Sequence, residues 1–305
     1  MPEHPLDHYI TPVDFGYLSL NHADGIRPDE LATELEGRGF ESVWMPEHSH
    51  IPSGRTTPYP GGGDLPDGYW HMQDPWVSLA AAATATSRLR LCTGICLVLE
   101  HDLLDLACTV ATVDVLSGGR VVMGVGVGWN VEELANHRPD IPFRLRYEAM
   151  RERIEALRRI WTEPEPAFEG RWDRFEASWV YPKPSQRPLP IALGNAGPVG
   201  IGHAAAYADE WCPIDASLLN QGGRPDVAGG IELFRRLAAE AGRDPDDIPI
   251  SIFSWAGPRR DRLERYRDLG VGRVVLPPPT MQRHDASATL RYLDEAAAVI
   301  GTFAD

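Results

Sequence analysis

Short apolar runs alternate along the chain with stretches in which apolar residues recur every three or four positions. The runs "VDFGYLSL", "ESVWMPEH", "LRLCTGICLVL", "RVVMGVGVG", "LPIALGN", "EWCPI", "IPISIFSW" and "GRVVLPPP" have strand length and are nearly all apolar. Helical faces fall between and after them. Leu103, Leu106, Val110 and Val113 form one; Tyr147, Met150, Ile154, Leu157 and Ile160 form another; Leu290, Leu293, Ala297 and Ile300 close the chain. Eight apolar strands, each followed by a helix, predict an α/β fold of the closed (β/α)8 TIM-barrel type. A doubly wound sheet is the alternative, but it would place its glycine loop after the first strand. No linker-like composition divides residues 1–305, so a single domain is expected.

Two segments interrupt the alternation, and both are expected as insertions at the C-terminal face. Residues 49–72, "SHIPSGRTTPYPGGGDLPDGYWHM", form a loop long enough to be either a lid or a disordered insertion. Its Tyr69 and Trp70 suit a lid over an aromatic ligand. Residues 162–190 are predicted to hold a small hairpin. Punctuation supports the helices: Pro28 with Asp29 and Glu30 opens one, Asp74–Pro75 opens the next, and "SGG" at 117–119 ends a third.

Gly124, Gly126 and Gly128 alternate through the fourth apolar run. A dinucleotide fingerprint needs a third glycine, which falls on Trp129 or Val131 in the two available registers. A phosphate-binding loop of the G-K-[ST] type needs a lysine, and Lys183 is the only lysine of the chain. The alternate glycines therefore either make room for a flat ligand at the strand's end or let another backbone approach closely.

Composition narrows the partners. The chain has 305 residues, 43% hydrophobic, and a formal net charge of -15. That charge disfavours nucleic acid. No stretch has the length of a membrane span, and "MPEHPLDHYI" lacks the pattern of a secretory signal. Cys92, Cys96, Cys108 and Cys212 form no C-x-x-C pair, so reduced thiols in a cytoplasmic protein are expected.

Barrels place chemistry where strands end. Glu47, His48 and His50 follow the second run, and Gly94 interrupts the third. Gly126 to Asn130 close the fourth, and "GNAGP" follows the fifth. A histidine at a strand end can give or take a proton near neutral pH. The alternative, a metal-dependent hydrolase with His48, His50 and Glu47 as ligands, lacks further ligands on later strands, so no metal is expected.

Several blocks in order resemble the bacterial luciferase-like monooxygenase superfamily: "GFESVWMPEH", "SRLRLCTGICLV", "LSGGRVVMGVGVGWNVEEL", "RRIWTEPEPAFEGRW" and "PKPSQRPLPIALGN". The resemblance is closest to the branch that uses the deazaflavin coenzyme F420. It implies the same barrel and a hydride transfer between F420 and a small organic substrate. The alternative is a monooxygenase using reduced FMN from a separate flavin reductase, and a non-catalytic flavin-binding protein is a further one. The resemblance makes Glu47 and His48 the candidate catalytic pair. It implies a cis peptide at Gly94–Ile95 behind the cofactor, and cofactor contacts at Gly126, Gly128, Asn130, Gly194, Asn195, Ala196 and Gly197. Relatives that oxidise a sugar phosphate carry a glutamate where this chain has Trp129. Trp129 and Trp70 therefore point to an apolar or aromatic substrate. A homodimer is what the family implies.

Overall fold

The computed structural model describes residues 13–255 and 257–304; the opening segment "MPEHPLDHYI" lies outside them. The chain forms strands β1 (Asp14–Leu18), β2 (Ser42–Met45), β3 (Arg90–Thr93), β4 (Cys96–Leu97) and β5 (Val121–Gly126). They continue as β6 (Phe168–Glu169), β7 (Arg174–Phe175), β8 (Ile191–Leu193), β9 (Glu210–Trp211), β10 (Ser251–Phe253) and β11 (Arg273–Leu276). The helices are α1 (Pro28–Gly37), α2 (Pro75–Ala85), α3 (Leu103–Ser117), α4 (Val131–His137) and α5 (Arg146–Thr162). After them come α6 (Pro198–Tyr207), α7 (Val227–Glu240), α8 (Arg260–Asp268) and α9 (Ala286–Ala304).

Every barrel strand pairs in parallel, in the order β10–β11–β1–β2–β3–β5–β8–β9. Parallel bridges Trp211↔Ile250 and Ile214↔Phe253 draw β9 to β10, so the sheet is a nearly closed eight-stranded barrel. The third apolar run is split into β3 and β4, and the peptide between Gly94 and Ile95 is cis. The barrel interior is packed by Leu18, Trp44, Cys92, Val122, Ala192, Cys212, Phe253 and Val275. A larger apolar layer lies between sheet and helices. Arg273 closes the floor, pairing with Glu41 at 2.8 Å and Glu210 at 2.6 Å.

The expected helix starts are capped as their sequences imply. Asp74 accepts from the Val77 N–H and Asp102 from those of Leu104 and Asp105, while Gly118 ends α3 with φ +69°. Of the two insertions, 49–72 leaves the C-terminal end of β2 and so sits at the mouth. Residues 163–190 leave the far end of α5 and enter β8 there, but their hairpin returns along α5 to the mouth side, where Trp172 and Asp173 meet Arg138 just after α4. This β6–β7 hairpin lies against α5, where Asp173 pairs with the buried Arg153 at 2.6 Å.

The glycines of β5 resolve toward close approach. A Cβ on Gly124 would collide with the Thr93 carbonyl oxygen, and one on Gly126 with the Ile95 side chain. The β3–β4 bend therefore presses on β5 where those side chains are missing, and Thr93 Oγ1 donates to the Gly124 carbonyl at 2.7 Å. Gly128 serves the backbone: its φ of +70° is a conformation that L side chains rarely adopt.

Candidate active site

A cavity of about 180 Å³ opens at the C-terminal mouth of the barrel, bounded by the ends of β1, β2, β8 and β10 and by the lid loop. Leu18, Leu20, Ile95, Leu97, Ile214, Phe253 and Met281 make most of its wall apolar. Tyr69 and Met72 of loop 49–72, with Trp129 and Trp255, add to that wall. Ser19, Glu47, His48 and the Tyr69 hydroxyl bring polar groups to it, and among the described residues no lysine or arginine lines it.

His48 stands where β2 gives way to the loop, with its side chain 7% exposed. Its Nδ1 lies 2.9 and 2.8 Å from the two carboxyl oxygens of Glu133. On its other side the Trp129 indole N–H donates to Nε2 at 3.3 Å. An indole can only donate, so Nε2 is an acceptor, and Nδ1 carries the proton and donates to Glu133. Burial lowers the His48 pKa to about 4 and raises that of Glu133 to about 8, the latter helped by the Glu47 charge. Both directions favour neutral groups in this dry pocket.

Glu47 does not orient His48. Its Oε1 meets Nε2 of His101 at 2.7 Å, and its Oε2 accepts from the Leu97 N–H at 2.6 Å. Burial works against charge on His101, yet the bond to Glu47 carries its pKa above the ordinary value. The place expected for Glu47 beside His48 is therefore taken by Glu133, one of two adjacent glutamates in "NVEEL". Glu133 is the third residue of α4, whose N-cap is Asn130. Asn130 and Glu133 stand at the spacing of a capping box, the one signal that marks this position.

The remaining candidates scatter around the mouth. Gly94, Ile95, Gly128 and Gly194 line the cavity. Gly126 lies behind Ile95. Asn130 is buried and spends its oxygen on the N–H groups of Glu132 and Glu133, leaving Nδ2 without a partner. Asn195 is also buried with Nδ2 unpartnered, Ala196 is half-buried, and Gly197 is the N-cap of α6 without a side-chain cap. Trp70 is 50% exposed and lines a separate cleft with Ile51 and Arg55, so the lid residue facing the cavity is its neighbour Tyr69.

The lid is ordered by three anchors. Thr56 and Thr57 hold Glu132 on α4, and Asp67 pairs with Arg283 at 3.0 Å. The Gln73 N–H donates to the Asn21 carbonyl at 2.7 Å.

His50 turns away from His48, toward Ser49 and Asn136, so the H-x-H pair does not converge. Among the described residues one group brings metal-ligand atoms together: Glu47, Cys96 and His101, within 4.8 Å of one another. Burial pushes the Cys96 thiol well up, which disfavours the thiolate a metal would need. The Glu47–His101 hydrogen bond already accounts for the other two. Also among the described residues, no helix is long and apolar enough to cross a membrane.

The profile of the luciferase-like monooxygenase family matches residues 14–300. An uncharacterized protein of Mycobacterium tuberculosis is 38% identical over 288 residues, covering 93% of this chain and 97% of that protein. The F420-dependent hydroxymycolic acid dehydrogenase of Mycobacterium tuberculosis is 28% identical over 75% of this chain, which spans 59% of it. Among solved structures, the coenzyme F420-dependent tetrahydromethanopterin reductase of Methanopyrus kandleri superposes with TM-score 0.72 at 18% identity. That superposition covers 96% of this chain and 99% of the reductase, and it shows the shared fold. With its profile matched almost end to end, this chain belongs to the luciferase-like monooxygenase family, a family of oxidoreductases.

Proposed function

We propose that the protein transfers a hydride between coenzyme F420 and an apolar small molecule, with His48 handling the accompanying proton. The observation that carries this reading is the Nε2 lone pair of a neutral imidazole held at a cavity whose other walls are almost wholly apolar. Relatives named as F420-dependent dehydrogenases support the cofactor.

The site's residues fit such a cofactor. Gly94, Gly128 and Gly194 offer bare backbone at the cavity wall, where a flat ring can lie close. Beside them, Asn195 keeps a buried Nδ2 without a partner, and α6 begins at Gly197 with an uncapped N-terminus suited to phosphate. Gly94, Ile95, Gly128, Gly194, Asn195, Ala196 and Gly197 would hold the coenzyme, with Gly126 backing Ile95 and Asn130 fixing the start of α4. The bound coenzyme supplies hydride acceptance and donation. The chain supplies position, water exclusion under the lid, and a proton acceptor at Nε2 of His48.

The wall also selects substrate. With no lysine or arginine facing the cavity among the described residues, a phosphate or carboxylate there would be buried unpaired, which is costly. Apolar or aromatic alcohols, ketones or alkenes fit, and Trp129 fills the place of the glutamate carried by sugar-phosphate dehydrogenases. Cys92, Cys96 and Cys212 are free and buried, which suits a reducing compartment such as the cytoplasm. A homodimer belongs to the same proposal, and sedimentation of the purified protein checks it.

Side-by-side titration of apoprotein with F420 and with FMN tests the reading. F420 is expected to bind at least tenfold more tightly, a difference of about 1.4 kcal/mol. Equal or reversed affinities would move the function to an FMN-dependent monooxygenase served by a separate flavin reductase.

A further inference from the structure

We infer that Glu133 is the positioning residue of His48 and the store of its proton, so that the imidazole relays protons by switching tautomer and never becomes an imidazolium. The inference rests on His48 handling the substrate proton, as proposed above.

The geometry has three parts. The imidazole is clamped at both nitrogens, Nδ1 by the Glu133 carboxyl and Nε2 by the Trp129 indole. The His48 and Glu133 side chains are almost fully buried, 7% and 1% exposed. Glu133 is then the acceptor in contact with Nδ1, since Glu47 is turned to His101 and Leu97.

The charged and titratable groups around the pair are mostly acidic. Glu47 lies beneath it, paired with His101. Glu100 stands beside it with Oε2 unpartnered and His137 at 3.8 Å. From the lid come Tyr69, whose ring lies 5.4 Å from that of His48, and Arg55 over the face of Trp129. A full positive charge on a buried imidazole is costly, whereas a neutral carboxyl among other acids is favoured. The raised pKa of Glu133 agrees with this.

The relay balances without an imidazolium. When a substrate hydroxyl gives its proton to Nε2, the O–H bond breaks and an N–H bond forms there. The Nδ1–H bond breaks in the same event, and that proton forms an O–H bond on the Glu133 carboxylate. The hydride goes to the oxidised coenzyme of the proposed reaction. In the reverse direction Glu133 returns its proton to Nδ1 as Nε2–H protonates the product oxygen. With Nδ1 against the Glu133 carboxyl and Nε2 facing the Trp129 indole N–H, the site accepts a substrate proton once Glu133 is ionised, above about pH 8, and donates one below it.

Nitrogen-15 NMR of the imidazole tests this on the protein alone, without coenzyme or substrate, so its outcome is separate from that of the cofactor titration. The His48 signals are assigned by their loss in His48→Asn. In the wild type, His48 is expected to stay neutral from pH 5.5 to 9.5, with its shifts changing in one step near pH 8 as Glu133 ionises. Glu133→Gln keeps an acceptor for Nδ1–H and is expected to abolish that step while leaving the Nδ1–H tautomer. Glu133→Leu removes the acceptor and is expected to shift the population toward Nε2–H. Imidazolium shifts near neutral pH, or a step that persists in Glu133→Gln, would overturn the relay. If neither variant folds, carbon-13 labelled glutamate in the wild type reads the carboxyl of Glu133 directly. A midpoint near 8 shared with the His48 nitrogens supports the relay, and a midpoint in the ordinary carboxylate range refutes it.

Discussion

Trp129 donates its indole N–H to Nε2 of His48 across 3.3 Å, and this contact decides which nitrogen of the imidazole is bare. The same tryptophan packs edge-on against the imidazole, with ring centroids 5.8 Å apart. It is therefore a wall of the cavity and, in the proposed reaction, the group that a substrate hydroxyl would replace at Nε2.

His48→Ala separates proton handling from binding. Positioned general acids and bases contribute roughly 10²–10⁴-fold. Turnover on an authentic substrate is expected to fall about a hundredfold or more, with coenzyme affinity within a few-fold of wild type. Trp129→Phe keeps the apolar wall and removes the donor, so a loss far smaller than that of His48→Ala is expected. Steady-state kinetics with coenzyme titration reads both, and wild-type turnover in His48→Ala would make the imidazole only a piece of wall.

The glycines of β5 differ sharply in tolerance from a helix-end glycine. A methyl on Gly124 meets the Thr93 carbonyl oxygen, a backbone atom held in the β3–β4 bend, while one at Gly37 meets nothing within 4 Å. Overpacking of this kind costs about 1–3 kcal/mol, so Gly124→Ala is expected to lower the melting temperature by several degrees. Gly37→Ala, at the exposed end of α1, is expected to be neutral or to gain about 0.5–1 kcal/mol. Calorimetry of the two variants compares them, and a stable Gly124→Ala would mean that the bend yields.

The sequence showed the barrel because its strands are buried on both faces and read as unbroken apolar runs, and because Asp74, Asp102 and Gly118 are strong local signals. It also marked His48, since a polar run directly after "SVW" must lie at a strand end. It hid what surrounds that histidine. In "NVEEL" two adjacent glutamates face opposite ways, Glu132 to the lid threonines and Glu133 into the core beside His48. The seven residues of α4 carry too few apolar positions for a period to separate them. Glu47 was equally opaque, because its partner His101 lies 54 positions on and meets it only when β4, laid along β5, brings the following turn beside Glu47. Tyr69 and Trp70 share a short 3-10 turn whose successive side chains diverge, so composition could not say which faced inward.

Glu100 gives the fold a dependence on pH. Its carboxyl is almost fully buried, one oxygen has no partner, and burial followed by the charges of Glu133 and Glu47 raises its pKa to about 9. An unfolded chain releases this proton near the ordinary value of 4.5, whereas the folded protein keeps it to about pH 9. The folded state binds more protons across that window, so stability falls as pH rises through it. Glu100→Gln cannot ionise and is expected to be the more stable protein at pH 8.5, with its advantage vanishing near pH 4.5. Melting curves at both values check this, and an advantage independent of pH would show that ionisation is not the cause.

Glu132 tests whether loop 49–72 works as a lid. Its Oε1 accepts from the N–H and Oγ1 of Thr56 at 2.7 and 2.8 Å, and its Oε2 from Oγ1 of Thr57 at 2.6 Å. These donors hold the carboxyl at about 2, first through the Thr57 hydroxyl, so the anchor stays ionised down to about pH 2. Farther along, Asp67 with Arg283 and the Gln73–Asn21 bond fix the loop's return. Glu132→Ala therefore frees the first half of the loop while leaving the second in place. A net hydrogen bond is worth about 1 kcal/mol, and several are lost at once, so amide exchange at Thr56 and Thr57 is expected to rise by tenfold or more. Tyr59 and Tyr69 would then lose a fixed backing, because Tyr59 packs between Tyr69 and Trp129 at 5.2 and 6.1 Å. The expected kinetic result is a several-fold higher KM for substrate with kcat little changed, since His48 and Glu133 are held from the barrel side. Unchanged exchange at the two threonines would show that aromatic packing alone keeps the loop closed. A fall in kcat equal to the rise in KM would instead place the lid in the chemical step.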